Sequence, residues 1–237
     1  MNNKKNQIVA IITAGGSGKR LKSKTKKQFL EIAGRPLISW VTEPFYLHPM
    51  IDKIIISLPE DEMNTIPKKI LNEFPEAKIS FSAGGKERQD SVYNALMLCP
   101  EDTGYVLIHD GVRPFISQND ITVLCETVKK KKAVIPITKI KNTIKEISNK
   151  KIIKTIPREN LAEALTPQAF EYELIKSLHK KAKQENLYFT DDAAILEHYG
   201  FLVHTIEHSS INFKITDSFD LKIAKIIISN NDEFRIR

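Results

Sequence analysis

Three short stretches carry the residue types that could do chemistry on phosphates. The first is Thr13-Ala14-Gly15-Gly16-Ser17-Gly18-Lys19-Arg20, directly after an apolar, β-branched run. Glycines let a backbone approach an anion closely and turn its N–H groups inward, so the stretch reads as a phosphate loop with Ala14, Gly15, Gly16 and Gly18 as nucleotide contacts. It is not a Walker A loop, since the Gly-Lys-Ser/Thr ending is absent, and its spacing misses the dinucleotide GxGxxG. Arg20 closes it, and Lys26-Lys27-Gln28-Phe29-Leu30 follows within one short segment. Cations beside a glycine nest can clamp a triphosphate and neutralise charge developing on a departing pyrophosphate. The glycines alone would also suit a tight turn, and the lysines alone an ordinary basic surface; their conjunction is the signal.

The second stretch is Gly84-Gly85 followed by Lys86-Glu87-Arg88-Gln89-Asp90-Ser91, in which Gly85 and Ser91 are candidates to meet a base or ribose. The third, His109-Asp110-Gly111-Val112-Arg113-Pro114, ends an apolar run and puts an acid and a base side by side. An aspartate in such a place commonly serves a magnesium ion shared with phosphates, which makes Asp110 the candidate metal ligand. A salt bridge from Asp110 to Arg113 that only braces a turn is the alternative, and His109 reads as structural. No convincing Ser/His/Asp or Cys/His set is present. Cys99 and Cys125 have neither CxxC spacing nor a histidine cluster near them, so they read as buried thiols.

The elements that must position these residues alternate. Apolar runs at Gln7 to Thr13, Lys53 to Leu58, Lys78 to Ser82, Tyr105 to His109 and Ala133 to Ile137 predict buried strands. Between them Pro36 to Leu47, Glu60 to Glu73, Asp90 to Leu98 and Asn119 to Lys131 show helical spacing, with Pro36 as a first-turn proline. Helices at Phe170 to Gln184, Asp191 to Tyr199 and Ser218 to about Ile228 follow, with a strand at Leu202 to Ile206. The order predicts an α/β fold, a Rossmann-like doubly wound, mostly parallel sheet with ligands beyond the carboxyl ends of its strands. Asn142 to Ile147 and Lys151 to Ile156, joined by Ser148, Asn149 and Lys150, predict a projecting β-hairpin arm that a second subunit would cover.

The chain of 237 residues suits a single domain, residues 1–237, with 139–158 as the arm. A hydrophobic share of 41% against 27% charged residues is that of a globular protein. No apolar run approaches the roughly 20 residues needed to cross a bilayer, and the polar N-terminus offers no cleavage site, so a cytoplasmic location with no membrane partner is expected. A net charge of +7 would suit nucleic acid, but the lysines are scattered and the 8% aromatics, such as Phe29 and Phe170, lie in core-like patterns. Nucleic acid is therefore not expected as a partner. Lys129 to Lys132 read as a solvated helix end.

Taken in order, these stations resemble the 2-C-methyl-D-erythritol 4-phosphate cytidylyltransferase family, within the glycosyltransferase-A-like nucleotidyltransferases, over nearly the whole chain. Further stations are Asn142-Thr143-Ile144-Lys145, Arg158, Thr166-Pro167-Gln168, Thr190-Asp191-Asp192-Ala193 and Asn212-Phe213-Lys214-Ile215-Thr216. The resemblance implies that Arg20, Lys27, Arg158 and Lys214 are catalytic, Arg20 and Lys27 stabilising transition-state charge and Lys214 holding the α-phosphate. It implies acceptor contacts from Asp110, Arg113, Thr143, Arg158, Thr190 and Lys214, magnesium near Asp110, and a homodimer whose arm crosses to the partner subunit. The substrates would be CTP and a sugar-alcohol phosphate. Gly111-Val112 stands where the family usually has Ala-Ala, which resembles the ribitol 5-phosphate cytidylyltransferases, and Asn142 replaces the usual aspartate. Thr190-Asp191-Asp192-Ala193 is more similar to the methylerythritol enzymes. Methylerythritol phosphate is thus the expected acceptor, with ribitol phosphate as the alternative and a non-catalytic nucleotide-binding subunit as a third reading.

Overall fold

The computed structural model describes residues 6–16, 26–74, 78–208 and 211–230. In chain order the first half contains β1 (Gln7–Thr13), β2 (Glu31–Ile32), β3 (Arg35–Pro36), α1 (Leu37–Leu47), β4 (Lys53–Leu58), α2 (Ile66–Glu73), β5 (Ile79–Ala83), α3 (Arg88–Leu96) and β6 (Thr103–Asp110). The second half adds α4 (Gln118–Lys131), β7 (Ala133–Lys139), β8 (Ile144–Ser148), β9 (Lys151–Ile156), β10 (Ala162–Ala164), β11 (Gln168–Glu171), α5 (Tyr172–Gln184), α6 (Asp192–His198), β12 (His204–Glu207) and α7 (Ser218–Ser229).

Successive side chains on a strand point to opposite faces, and on the central strands both faces are apolar. Ile8, Ala10 and Ile12 of β1 join one hydrophobic cluster with residues of α1, α2 and α4, whereas Val9 and Ile11 join a second with residues of α3, α5 and α6. Isoleucines 54 and 56 of β4 divide from Ile55 in the same way. A strand buried on both sides needs helices on both sides, so the unbroken apolar runs of the sequence translate into a doubly wound sheet.

The strands run in the order β5, β4, β1, β6, β11, β7. Strand β1 pairs parallel with β4 and β6, and β4 with β5. From β1 the chain winds outward to β5 and then returns to β6 on the other side, so the sheet reverses direction between β1 and β6. Strand β11 lies antiparallel between β6 and β7. β10 and β12 both pair with β7, antiparallel and parallel respectively.

Several expectations need correction. Phe170 was expected to begin a helix, but it lies in β11, fully buried and paired with Val106 and Ala133. The helix begins at Tyr172; strand pairing across the sheet overrides the local period there. Glu60 to Glu73 is not one helix: a single 3-10 turn at Glu60–Glu62 precedes α2. Pro36 is the residue before α1 rather than its first. The first arm strand ends at Ser148 instead of Ile147, and the turn is made by Asn149 and Lys150, with φ of 47° and 63°. Two successive left-handed residues match the twist of the flanking strands.

The arm forms its own two-stranded sheet, with Ile147 opposite Ile152. These side chains are 68% and 64% exposed, and Ile153 is 58% exposed. The core-like reading of Phe29 and Phe170 holds, as both are buried. Cys125 is buried and Cys99 half-buried, both as free thiols pushed up to about 12, chiefly by burial. The Lys129–Lys131 run is the exposed last turn of α4, where cations face the negative end of the helix dipole. Among the described residues no helix is long and apolar enough to cross a membrane.

Candidate active site

A cleft of about 400 Å³ opens at the carboxyl ends of β1 and β6, where the sheet reverses. Ala14, Gly15, Gly16, Lys27, Gly85, Ser91, Asp110 and Lys214 all line it, so eight of the expected site residues meet in one place. Arg20 and Gly18 lie outside the described residues.

The two glycine turns form the cleft by packing on each other. A Cβ on Gly84 would fall 3.1 Å from the Gly15 Cα and 3.2 Å from the Leu58 carbonyl oxygen, and one on Gly15 would fall 2.9 Å from the Ser91 hydroxyl. The phosphate loop is held from below by buried Gln28, whose Nε2 donates to the carbonyls of Ala14 (2.6 Å) and Gly16 (2.8 Å). In a trans peptide the C=O and N–H point in opposite directions, so turning the Ala14 carbonyl to Gln28 directs the Gly15 N–H away from it. In the second turn Ser91 Oγ accepts from the Gly85 N–H at 2.9 Å and donates to the Glu87 carbonyl at 3.2 Å. Glu87 and Asp90 close a reciprocal cap on α3.

Asp110 is the hub. Its Oδ1 lies 3.3 Å from Arg88 Nε, and its Oδ2 lies 3.1 Å from Arg113 Nε and 3.0 Å from Lys214 Nζ. Burial pushes this carboxyl up, but Arg88, Lys214 and Arg113 outweigh it and hold it well below the usual carboxylate range. The anion is thus fixed at the mouth of the cleft among three cations. The Asp110–Arg113 pair expected as an alternative is present, together with two further partners that extend it beyond a turn brace.

Behind Asp110 a hydrogen-bonded frame sets the angle of each side chain. His109 Nε2 donates to the Arg113 carbonyl (2.9 Å), which leaves Nδ1 to accept from the Thr166 hydroxyl (3.0 Å). Thr166 Oγ1 in turn accepts from the Asp110 N–H at 3.2 Å. Burial pushes the imidazole down to about 4, so His109 is a neutral structural element, in keeping with its sequence reading. Arg113 also donates to the Asn212 carbonyl, Asn212 Nδ2 to the Thr166 carbonyl, and Ile215 N–H to the Val112 carbonyl. With its neighbours tied on both sides, Lys214 is delivered to Asp110.

Arg88 reaches further. Its Nη1 lies 2.8 Å from Asp192 Oδ2, and Asp192 is also 3.2 Å from His179 Nε2 in an almost fully buried cluster. Burial raises the Asp192 carboxyl, and Arg88 with His179 more than reverses it. Arg88, Asp192, Gln28 and Gln89 were not singled out by role in the sequence. They stand within the polar stretches quoted above, where nothing local showed which distant groups they meet.

The remaining expected residues stand apart from the cleft within one chain. Thr143 and Arg158 are exposed on and beside the arm, where Arg158 Nη1 donates to the Lys141 carbonyl and closes the hairpin's base. Thr190 is exposed at the bend before α6, two residues from Asp192.

Among the described residues no three His, Cys, Asp or Glu side chains gather as a metal site. Magnesium, however, keeps several waters and is characteristically held by one or two carboxylates plus substrate phosphates. A single, firmly ionised Asp110 beside a phosphate loop fits a metal that arrives with a triphosphate.

A glycine-walled, cation-rich cleft at the reversal point of a mostly parallel sheet defines a nucleotide-binding α/β protein. The model of the 2-C-methyl-D-erythritol 4-phosphate cytidylyltransferase family matches residues 8–230. The chain belongs to this family, and with it to the cytidylyltransferases, a class of nucleotidyltransferase enzymes. It is similar to the protein of that name from Clostridium beijerinckii, at 39% identity over 94% of this chain and 99% of the relative. A second such protein, from Halalkalibacterium halodurans, is 36% identical over 94% and 97%. Among solved structures, the 4-diphosphocytidyl-2C-methyl-D-erythritol synthase of Anaerococcus prevotii superposes with a TM-score of 0.84 at 30% identity, covering 95% of this chain and 99% of that one.

Proposed function

We propose that the chain transfers CMP from CTP to 2-C-methyl-D-erythritol 4-phosphate, giving 4-diphosphocytidyl-2-C-methyl-D-erythritol and pyrophosphate in the non-mevalonate isoprenoid pathway. The observation that carries the reading is the meeting of the glycine loop, Lys27, Asp110 and Lys214 in one cleft. A phosphate-monoester oxygen of the acceptor forms the new bond to the α-phosphorus while the bond to the β-phosphate oxygen breaks. The acceptor phosphate is already a competent nucleophile, so alignment and charge stabilisation suffice. This agrees with a cleft whose lining serine, Ser91, is engaged with the Gly85 N–H and the Glu87 carbonyl, and in which no cysteine is among the described lining residues.

In this reading Ala14, Gly15, Gly16 and Gly18 cradle the phosphates, and Gly85 and Ser91 meet the base or ribose. Lys27 and Arg20 stabilise charge on the departing pyrophosphate, and Lys214 exchanges Asp110 for the α-phosphate. Asp110 would hold Mg2+, which supplies charge neutralisation on the phosphate oxygens when bound. Arg113 keeps Asp110 in place and, with Thr143, Arg158 and Thr190, serves the acceptor. The exposure of Thr143 and Arg158, neither of which lines the cleft, supports a homodimer in which each arm serves its partner's site. The exposed Ile147 and Ile152 support it too, since a lone two-stranded hairpin is marginal in water and an uncovered one is a pairing liability.

Gly111 supports a tight fit at this corner: a Cβ there would fall 2.8 Å from the Thr13 carbonyl oxygen. The test is pyrophosphate release with CTP, magnesium and either methylerythritol 4-phosphate or ribitol 5-phosphate. Release with the first alone is expected; release with the second alone moves the acceptor, and silence with both leaves a nucleotide-binding subunit.

A further inference from the structure

We propose that Gln89, with Arg88 beside it, is a positioning residue that sets where the acceptor is held relative to the nucleotide. The two residues begin α3, the helix whose first turn, with the glycine turn before it, walls the cleft through Gly85, Glu87, Arg88 and Ser91. Gln89 turns away from the cleft and takes hold of a segment about a hundred positions later. Its Nε2 donates to the Leu187 carbonyl at 2.9 Å, and its Oε1 accepts from the Phe189 N–H at 2.9 Å. One carboxamide therefore satisfies a carbonyl and an N–H two residues apart, as a neighbouring strand would. Residues 187–191 belong to no strand or helix, and beyond the Leu187 N–H bond to the Ala182 carbonyl this side chain supplies the order that a neighbouring strand would.

The far side of the segment is fixed as well. Gln168 Oε1 accepts from the N–H groups of Asp192 (3.1 Å) and Ala193 (3.0 Å), and its Nε2 donates to Asp191 Oδ2 at 2.7 Å. Arg88 ties Asp192 to Asp110. Thr190 is thus an exposed residue between two clamped points, and both clamps on the cleft side issue from one turn of α3. A shift of that turn moves the nucleotide wall and Thr190 together. Gln89 is 7% exposed, and burying a carboxamide is costly unless both its groups are bonded, as here.

The inference rests on the assignment of Thr190 to the acceptor made above. Gln89→Leu removes both bonds at similar size, and is expected to raise KM for methylerythritol 4-phosphate about tenfold or more. The Kd for CTP, measured by calorimetry without acceptor, is expected to stay within about twofold, and kcat at saturating acceptor to fall less than KM rises. Gln89→Met carries the same test should the leucine variant fail to fold, and amide exchange at residues 187–191 should quicken in either. Thr190→Val is the control. If it leaves acceptor KM unchanged, the assignment of Thr190 fails and the inference with it. If it raises KM while the Gln89 variants do not, or if they weaken CTP equally, the positioning role alone is overturned.

Discussion

The cleft and the arm are built on opposite terms. At the cleft, the central polar side chains are buried and paired: Asp110 has three cationic partners, Gln28 two carbonyls, His109 two partners fixed by geometry. At the arm, apolar side chains are exposed and polar contacts are few, such as Lys145 to Thr155 and Lys154 to Glu146 on the hairpin's own surface. Such exposed ion pairs contribute little to stability, whereas removing one partner from a buried network strands a charge. The described part of the proposed nucleotide half is thus gathered within one chain, whereas Thr143 and Arg158, on the proposed acceptor half, are exposed.

Three experiments break or sharpen that contrast. The largest effect is expected at the cleft: Lys27→Ala should lower kcat/KM by about 10²-fold or more in steady-state assays, the scale of a lost transition-state contact. Its melting temperature and association state should match the parent protein; unchanged turnover would remove Lys27 from the chemistry. Next, Ile147→Asp with Ile152→Asp should dissociate the proposed dimer in sedimentation velocity and weaken acceptor binding while CTP affinity is kept. A double variant that stayed dimeric and active would make the arm dispensable. The smallest effect concerns the join of the two glycine turns. Gly84→Ala must displace backbone at 3.1–3.2 Å, and should cost about 1–3 kcal/mol in urea unfolding with weaker CTP binding. Unchanged stability would show that the turns are looser than their contact implies.

Much of this was legible in the chain. The five apolar runs became β1, β4, β5, β6 and β7 with ends moved by at most two residues, because a strand buried on both faces leaves an unbroken apolar signature. Asn149 and Lys150 were placed correctly as a turn. Strand β11 was missed, since four residues flowing into a helix carry no period of their own and only β6 and β7 on either side make them a strand.

The site divides along the same line. Residue types and spacing determined the phosphate loop, the lysines after it and Asp110 at a strand end, because those features act through neighbours in sequence and through the fixed rule that ligands sit beyond carboxyl ends. That Arg88 bridges to Asp192, 104 positions away, and that Gln89 clamps residues 187 and 189, 98 and 100 positions away, was decided by the tertiary structure alone. A hydrogen bond needs two groups within about 3 Å, and for residues so far apart only the packing of α3 on α5, and of α5 on α6, brings them there.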